Sequence, residues 1–534
     1  MILAHTMATP ADKIVVTNLR ALKKKYGPGV ANIQTAIAAL IAADKTRGIT
    51  TKIIDVASAA AMKAVQGAAV TDPQSQKQNK AAIDAIYTAL VPDYLMILGS
   101  IDVIPHQDLL NPLYDPGSDP DKLVPADLPY ACEAAYSQDP RDFIGPTRVV
   151  GRLPDLTGGT DPAVLTELLR TATKAITRPM KDYRSYLGIT AQTWMRSTAL
   201  SLEKLFGNNK DLQTSPTRGP QWTASQLARR SHFINCHGAA AKSEFYGEKG
   251  DAFPVAHTSA RVSGNLSDGT VASVECCYGA QLFDPAMWGQ APPLCNTYLQ
   301  SGAYGYVGST TISYGPADAN GSADLLCQFF LQRVLAGASL GRAMLEARQQ
   351  FAQSTPQLDP YDLKTLAQFN LLGDPALHPV AVPSASVSVA GTRSAASVAP
   401  KSAGDPMGRA INRTDRRRLL ISKGLHILAT QLVARRRAGV VSVGVSSALQ
   451  RLAGSVGLES ATRLSFDVAE AAPAGVRGVM SKALSLLGER AIPAAFHVMA
   501  SRQTETEGGG PRIVAIVAKE VDGKIVSYRE LHSR

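Results

Sequence analysis

The 534-residue chain is 45% hydrophobic and 19% charged, so it reads as an ordinary soluble globular protein of about two to four domains rather than one core. No apolar run approaches the roughly 20 residues of a membrane-spanning helix, and the opening MILAHTMATPADK lacks the basic-then-apolar pattern of a secretory signal. The net charge of +11 is concentrated, because residues 401–534 carry 21 Lys+Arg against 11 Asp+Glu.

In chain order, Lys13–Asn18 predicts a short buried strand and Gly29–Asp44 an Ala/Ile/Leu-rich helix. Thr50–Val56 predicts a second strand, Gln78–Leu90 a helix and Tyr94–Gly99 a third strand. A Pro/Asp-rich loop, Asn111–Pro129, interrupts this alternation before a strand at Arg148–Pro154 and a helix at Asp161–Thr177. A second block follows, with strands at Tyr186–Ala191, His232–Cys236, Val271–Val274 and Tyr304–Ser309. Its helices are expected at Arg196–Phe206, Gly321–Leu335 and Leu340–Ser354, and Phe369–Leu377 closes it. Strand–helix alternation of these lengths implies an α/β fold with a mostly parallel sheet flanked by helices.

Val380–Met407 is rich in Ser, Ala, Val, Gly and Pro and reads as a linker. Beyond it Asp415 is expected to cap a helix over Arg416–Arg437, with further helices at Val440–Leu458 and Gly475–Arg490. Strands are expected at Ala494–Ser501, Arg512–Lys519 and Lys524–Arg529, the last two joined by a Val-Asp-Gly turn. This gives four units: an N-terminal α/β subdomain (1–185), a second subdomain (186–379), the linker (380–407) and a small basic α+β domain (408–534). The Arg triplets at 416–418 and 435–437 point to an anionic partner such as nucleic acid, a membrane surface or an acidic protein. A solvated basic helix is the plainer reading of the same residues.

Two places carry chemistry. His237-Gly238 follows one predicted strand, and Glu275-Cys276-Cys277-Tyr278-Gly279 follows the next convincing one. Both lie where an open α/β sheet presents its crevice, at the carboxyl ends of its strands. A thiolate attacks a carbonyl, a histidine handles the protons, and backbone N–H groups of Gly238 and the nucleophile stabilise the developing charge. Singly, each residue is more often structural, since cysteine is among the most buried residue types. The six cysteines are sparse and include no CxxC, and there is no HExxH. They favour a reducing cytoplasm over a disulfide framework, and no metal site is expected.

These residues resemble the caspase–gingipain–legumain clan of cysteine peptidases, and within it the gingipain-like branch. YLMILGSIDVIP (94–105), PADLPY (125–130), VVGRLP (149–154) and LLGDPAL (371–377) are similar to segments of that branch, over about residues 12–380. The resemblance implies a caspase-like fold and an endopeptidase acting through a His237/Cys277 dyad, with no cofactor. In the wider clan the nucleophile follows an acidic or amide residue and a small one, which selects Cys277. Gingipains leave two residues before the following glycine, which would select Cys276. Those enzymes read a basic P1 residue with an acid beyond the first catalytic strand. The corresponding ITAQTWMRST has no carboxylate, so arginine specificity is not carried over. Trp194 is expected to wall an apolar or small pocket or to be a core residue, and Glu275 to orient the site, bind substrate backbone or stabilise a turn. His257 is expected exposed in a loop, Asp374 in a turn before Pro375, and Cys132, Cys295 and Cys327 in the core. The rival reading is a non-catalytic scaffold joined to a basic recognition domain. A nucleotide-binding protein is disfavoured because no glycine-rich phosphate motif follows a strand. Oligomeric state is left open.

Overall fold

The computed structural model describes residues 11–355, 357–381, 406–437, 441–458, 460–470, 494–505 and 511–534. The strands used below are β1 (Lys13–Thr17), β2 (Thr51–Asp55), β3 (Tyr94–Leu98), β4 (Val150–Leu153), β5 (Tyr186–Ala191) and β6 (Leu212–Ser215). They continue with β7 (Ser231–Asn235), β8 (Val271–Val274), β9 (Gly305–Ser309), β10 (Tyr314–Gly315), β11 (Gln357–Leu358) and β12 (Phe369–Gly373). The last five are β13 (Leu432–Arg436), β14 (Thr462–Glu470), β15 (Ala494–Glu505), β16 (Pro511–Val521) and β17 (Lys524–Ser533).

One ten-stranded sheet runs β2-β1-β3-β4-β12-β9-β8-β7-β5-β6. Every neighbouring pair is parallel except β12 and β9, which meet antiparallel. The sheet is thus two five-stranded parallel blocks of opposite direction sharing one seam. β12, late in the sequence, returns to complete the first block. Helices cover the sheet, and β1, β5, β7, β8, β9 and β12 are buried along their whole length, as parallel strands between two helical layers must be. Their apolar side chains form one contiguous core.

The elements expected from periodicity are present to within a few residues. Short helices at Leu19–Tyr26 and Ala59–Ala64 were not anticipated. Asp374 shapes its turn as expected, accepting from the Ala376 N–H at 3.0 Å, and its other oxygen meets buried Lys13. Lys13 also reaches Asp44 at 3.0 Å, so β1 and the end of β12 are pinned by one buried cation.

The basic part supplies the five inner strands of a second, seven-stranded sheet in the order β10-β17-β16-β15-β14-β13-β11. Its five inner strands pair antiparallel, and Asp522 and Gly523 adopt positive φ in the expected β16–β17 hairpin. Here one expectation is corrected. The helix placed over Arg416–Arg437 begins at Pro406 and ends at Thr430, and the second Arg triplet lies on and just beyond β13. β13 pairs with β14, itself unanticipated although its Leu464 and Phe466 alternate into the core. Cross-strand pairing there outweighs the helix propensity of an Ala/Arg run. The proposed linker falls largely, and the helix at 475–490 entirely, outside the described residues.

Candidate active site

Four neighbouring strands of the second block point their carboxyl ends into one crevice, and each delivers a residue to it. Trp194 ends the turn after β5, His237 lies just past β7, Cys277 just past β8, and Ser313 beyond β9. The β7–β8 register pairs Ile234 with Val274, so His237 and Cys277 each stand three residues past matched positions. The two are joined through the main chain: Gly238 packs so closely that a Cβ there would overlap the Cys277 carbonyl oxygen. Only glycine fits that approach.

The His237 main chain exchanges two 2.9 Å hydrogen bonds with Tyr246, fixing the residue at the strand end. Its ring packs between Trp194 and Phe253, with centroids 4.5 and 5.1 Å away. Its Nε2 lies 2.8 Å from Glu248 Oε2. Glu248 in turn accepts from Thr193 Oγ1 at 2.7 Å and pairs with Arg512 at 3.0 Å. Burial depresses the His237 pKa and the Glu248 contact offsets only part of that, so the imidazole is neutral at pH 7. Burial works to raise Glu248, yet His237, Thr193 and Arg512 hold it below the usual carboxylate range.

The adjacent thiols differ. Cys276 Sγ turns toward β7, accepting from the Cys236 N–H at 3.3 Å in apolar surroundings, and burial raises its pKa well above that of a free thiol. Cys277 Sγ turns toward Ser313, accepting from its N–H at 3.2 Å. Burial pushes Cys277 up to about 12, and the Ser313 N–H works against that rise.

What buries Cys277 is the chain itself. Arg534 lies in the crevice, its N–H donating to the Ser313 carbonyl and its carbonyl accepting from the Cys277 N–H, both at 3.0 Å. Its guanidinium enters a pocket made by Trp194, Glu275 and Asp324. It pairs with both carboxylates, at 2.7 Å for Asp324, and its Cζ lies 5.3 Å from the Trp194 ring centre. Gly315 lines the entry, since a Cβ there would overlap the guanidinium. Burial raises Glu275 well above the usual carboxylate range, the neighbouring Asp324 charge adding to the rise, and burial raises Asp324 as well. Glu275 Oε1 and Asp324 Oδ1 have no hydrogen-bond partner among the described residues.

The expectations for these residues are thereby sharpened and corrected. Trp194 walls a pocket, but one filled by a guanidinium rather than an apolar or small group. Glu275 meets the Arg534 side chain. His257 is not exposed: it is fully buried, its Nε2 2.9 Å from Tyr298 Oη, which also lies 2.9 Å from His232 Nδ1. The six cysteines are all free and buried. Glu248, Ser313, Gly315, Asp324 and Arg534 were missed. Asp324 sits in the first turn of the helix Ser322–Leu335, where an acid reads from sequence as an ordinary partner of the helix N-terminus.

Residues 248–380 match the family model of peptidase family C25, the gingipain family. That stretch of the chain is thus similar to a cysteine-peptidase family. The match covers Glu248, Cys277, Ser313 and Asp324 and stops where the basic part begins. A solved structure described as a protease is similar over 98% of both chains, at 12% identity and a TM-score of 0.42. No curated protein matches the sequence. No helix among the described residues is long and apolar enough to cross a membrane.

Proposed function

We propose that this protein is a cysteine endopeptidase acting through His237 and Cys277 and cleaving after arginine. The observation that carries the reading is the Cys277 N–H donating to the main-chain oxygen of Arg534, whose side chain fills an acidic pocket beside it. A P1 carbonyl in that position accepts the nucleophile's N–H as its oxygen gains charge, with the Gly238 N–H as the second donor. Neutral His237, held by Glu248, takes the thiol proton as Cys277 Sγ bonds to the carbonyl carbon. The same histidine returns that proton to the leaving amine when the C–N bond breaks. Water then hydrolyses the thioester, its proton passing through His237 and the thiol being regenerated. The acids that read the basic side chain follow β8 and open a helix, which is why the stretch after β5 holds none.

Within this reading, the subdomains 1–185 and 186–379 meet in the sheet where β4 pairs with β12, and the residues after 380 form a separate regulatory part. Six free, buried cysteines fit an intracellular, reducing setting. Arg512, Arg529 and Arg534 pair with carboxylates of the peptidase part, which supports that part as an anionic partner of the basic one. The non-catalytic reading has one supporting observation, the buried and high-pKa Cys277, which covering by Arg534 also explains.

The test is to compare Cys277→Ala with Cys276→Ala, following cleavage of an arginine peptide and alkylation by a thiol probe. Cys277→Ala should lower cleavage by about three orders of magnitude or more and abolish labelling of the site. Cys276→Ala should keep most activity, since alanine suits its small buried position. The reverse pattern moves the nucleophile one residue upstream; full activity in both variants ends the dyad.

A further inference from the structure

We infer that residues 531–534 are a cis-acting occupant of the substrate groove, a substrate-like strand that holds this peptidase closed until it is displaced. The inference rests on the catalytic reading above but concerns the regulation of that site. Three independent features converge on it.

The first is the mode of binding. β17 adds antiparallel to β10, with Ser533 opposite Tyr314 and His532 opposite Gly315. This is strand addition to the wall of a cleft, the way an extended peptide is held by main-chain hydrogen bonds while one side chain is read in a pocket. Arg534 continues that ladder through Ser313 and ends with its carbonyl on the Cys277 N–H. A peptide entering the site needs the same Ser313 carbonyl, the same Cys277 N–H and the same pocket, so the two compete for every contact.

The second is the completeness of the fit. Ser533 and Arg534 are buried, and Arg534 reaches Glu275 and Asp324 with separate nitrogens. Buried cations persist where paired and hydrogen-bonded, and the acids here supply both. A surface strand that met the groove by accident would leave the guanidinium in water.

The third is a set of contacts that hold the same sheet in place. Arg512 on β16 pairs with Glu248, the carboxylate that orients His237, and Arg529 on β17 pairs with Asp359 and Asp362. One sheet therefore covers the nucleophile, fills the specificity pocket and touches the partner of the catalytic histidine. Displacing the β16–β17 hairpin frees all three together.

The experiment uses the full chain and the peptide of residues 531–534 carrying a coumarin leaving group. Arg534→Ala should raise its turnover, and the rate of Cys277 alkylation, by about tenfold or more over wild type, because the competing cis side chain is gone. Arg534→Gln, nearer in size, repeats the measurement, and thermal melting of both identifies a variant that has merely lost its fold. Equal turnover and equal labelling in folded wild type and variants would overturn the inference while leaving the peptidase reading intact. A second measurement does not depend on catalysis: binding of the same sequence as a fluorescein-labelled peptide to Cys277→Ala and to Cys277→Ala/Arg534→Ala. Affinity higher by about tenfold in the double variant supports cis occupancy even if no form turns over, an outcome that would remove the peptidase reading alone. Equal affinity in the two overturns it even if hydrolysis is seen.

Discussion

The two sheets solve the problem of their edges in opposite ways. The ten-stranded sheet is parallel, and buried strands such as β7 and β8 carry apolar residues on both faces. Its chemistry stands at strand ends, where the chain turns and the side chains are free to face a crevice. The seven-stranded sheet is built on antiparallel hairpins with alternating burial, as at the end of β17, where Leu531 and Ser533 are buried and Glu530 and His532 are less so. Its chemistry lies along its edge. An unpaired edge strand exposes a row of donors and acceptors, and here both edges are closed by two-residue strands of the peptidase part, β10 and β11. One of those closures is also the proposed substrate groove. A regulatory sheet can therefore cover a peptidase by the same hydrogen bonds that satisfy its own edge.

The sharpest way to break this comparison is to remove the charge that reads the occupant. In an Arg534→Ala background, Asp324→Asn should lower kcat/KM for an arginine substrate by about a hundredfold, close to 2.7 kcal/mol, while a P1-alanine substrate changes little. The readout is the ratio of the two rates, and a uniform loss on both substrates would show that Asp324 supports the fold rather than the pocket.

A smaller effect separates the sheets by their response to acid. Burial lowers the pKa of His232 to about 4 and that of His257 to about 3, both inside the peptidase part around Tyr298. A folded-state pKa below the unfolded value favours the neutral form in the fold. That stability is fully present above about pH 6.5 and is lost as pH falls toward 4, about 2 kcal/mol by pH 5 for His232. Denaturant melts between pH 7 and pH 5 should show His232→Gln losing less than wild type. The same steep loss in both would place the acid lability elsewhere.

The smallest effect tests the clamp between the sheets. Arg529→Ala leaves Asp359 and Asp362 buried without their cation, at a cost of about 1–2 kcal/mol after allowing for the partial exposure of the arginine. Hydrogen exchange should quicken in β17 and β10 first and leave β7 and β8 protected. Uniform quickening across both sheets would mean that they unfold as one unit and that no separable cover exists.

Much of the peptidase part was legible because its signals are local. The apolar runs HFINC and VASV are short, bounded and β-branched or aromatic, so their strands and the residues just beyond them follow from pattern. That is enough to bring His237, Gly238 and Cys277 forward as a set. The basic part was legible only in pieces: its hairpin turn carries a local sign, whereas β13 and β14 depend on partners far away in the chain.

The sequence by itself determined the alternation of strands and helices, the uneven charge and the pair of strand ends that carry histidine and cysteine. These depend on period, composition and the chemistry of single residues, all local properties. Only the tertiary structure decided that Cys277 rather than Cys276 faces Ser313, that Glu275 and Asp324 form one pocket, and that Glu248 holds His237. Only it decided, too, that Arg534 lies in that pocket, 259 residues from Glu275. A buried guanidinium is stable where two carboxylates converge on it, and no local pattern in any of the three segments encodes that convergence.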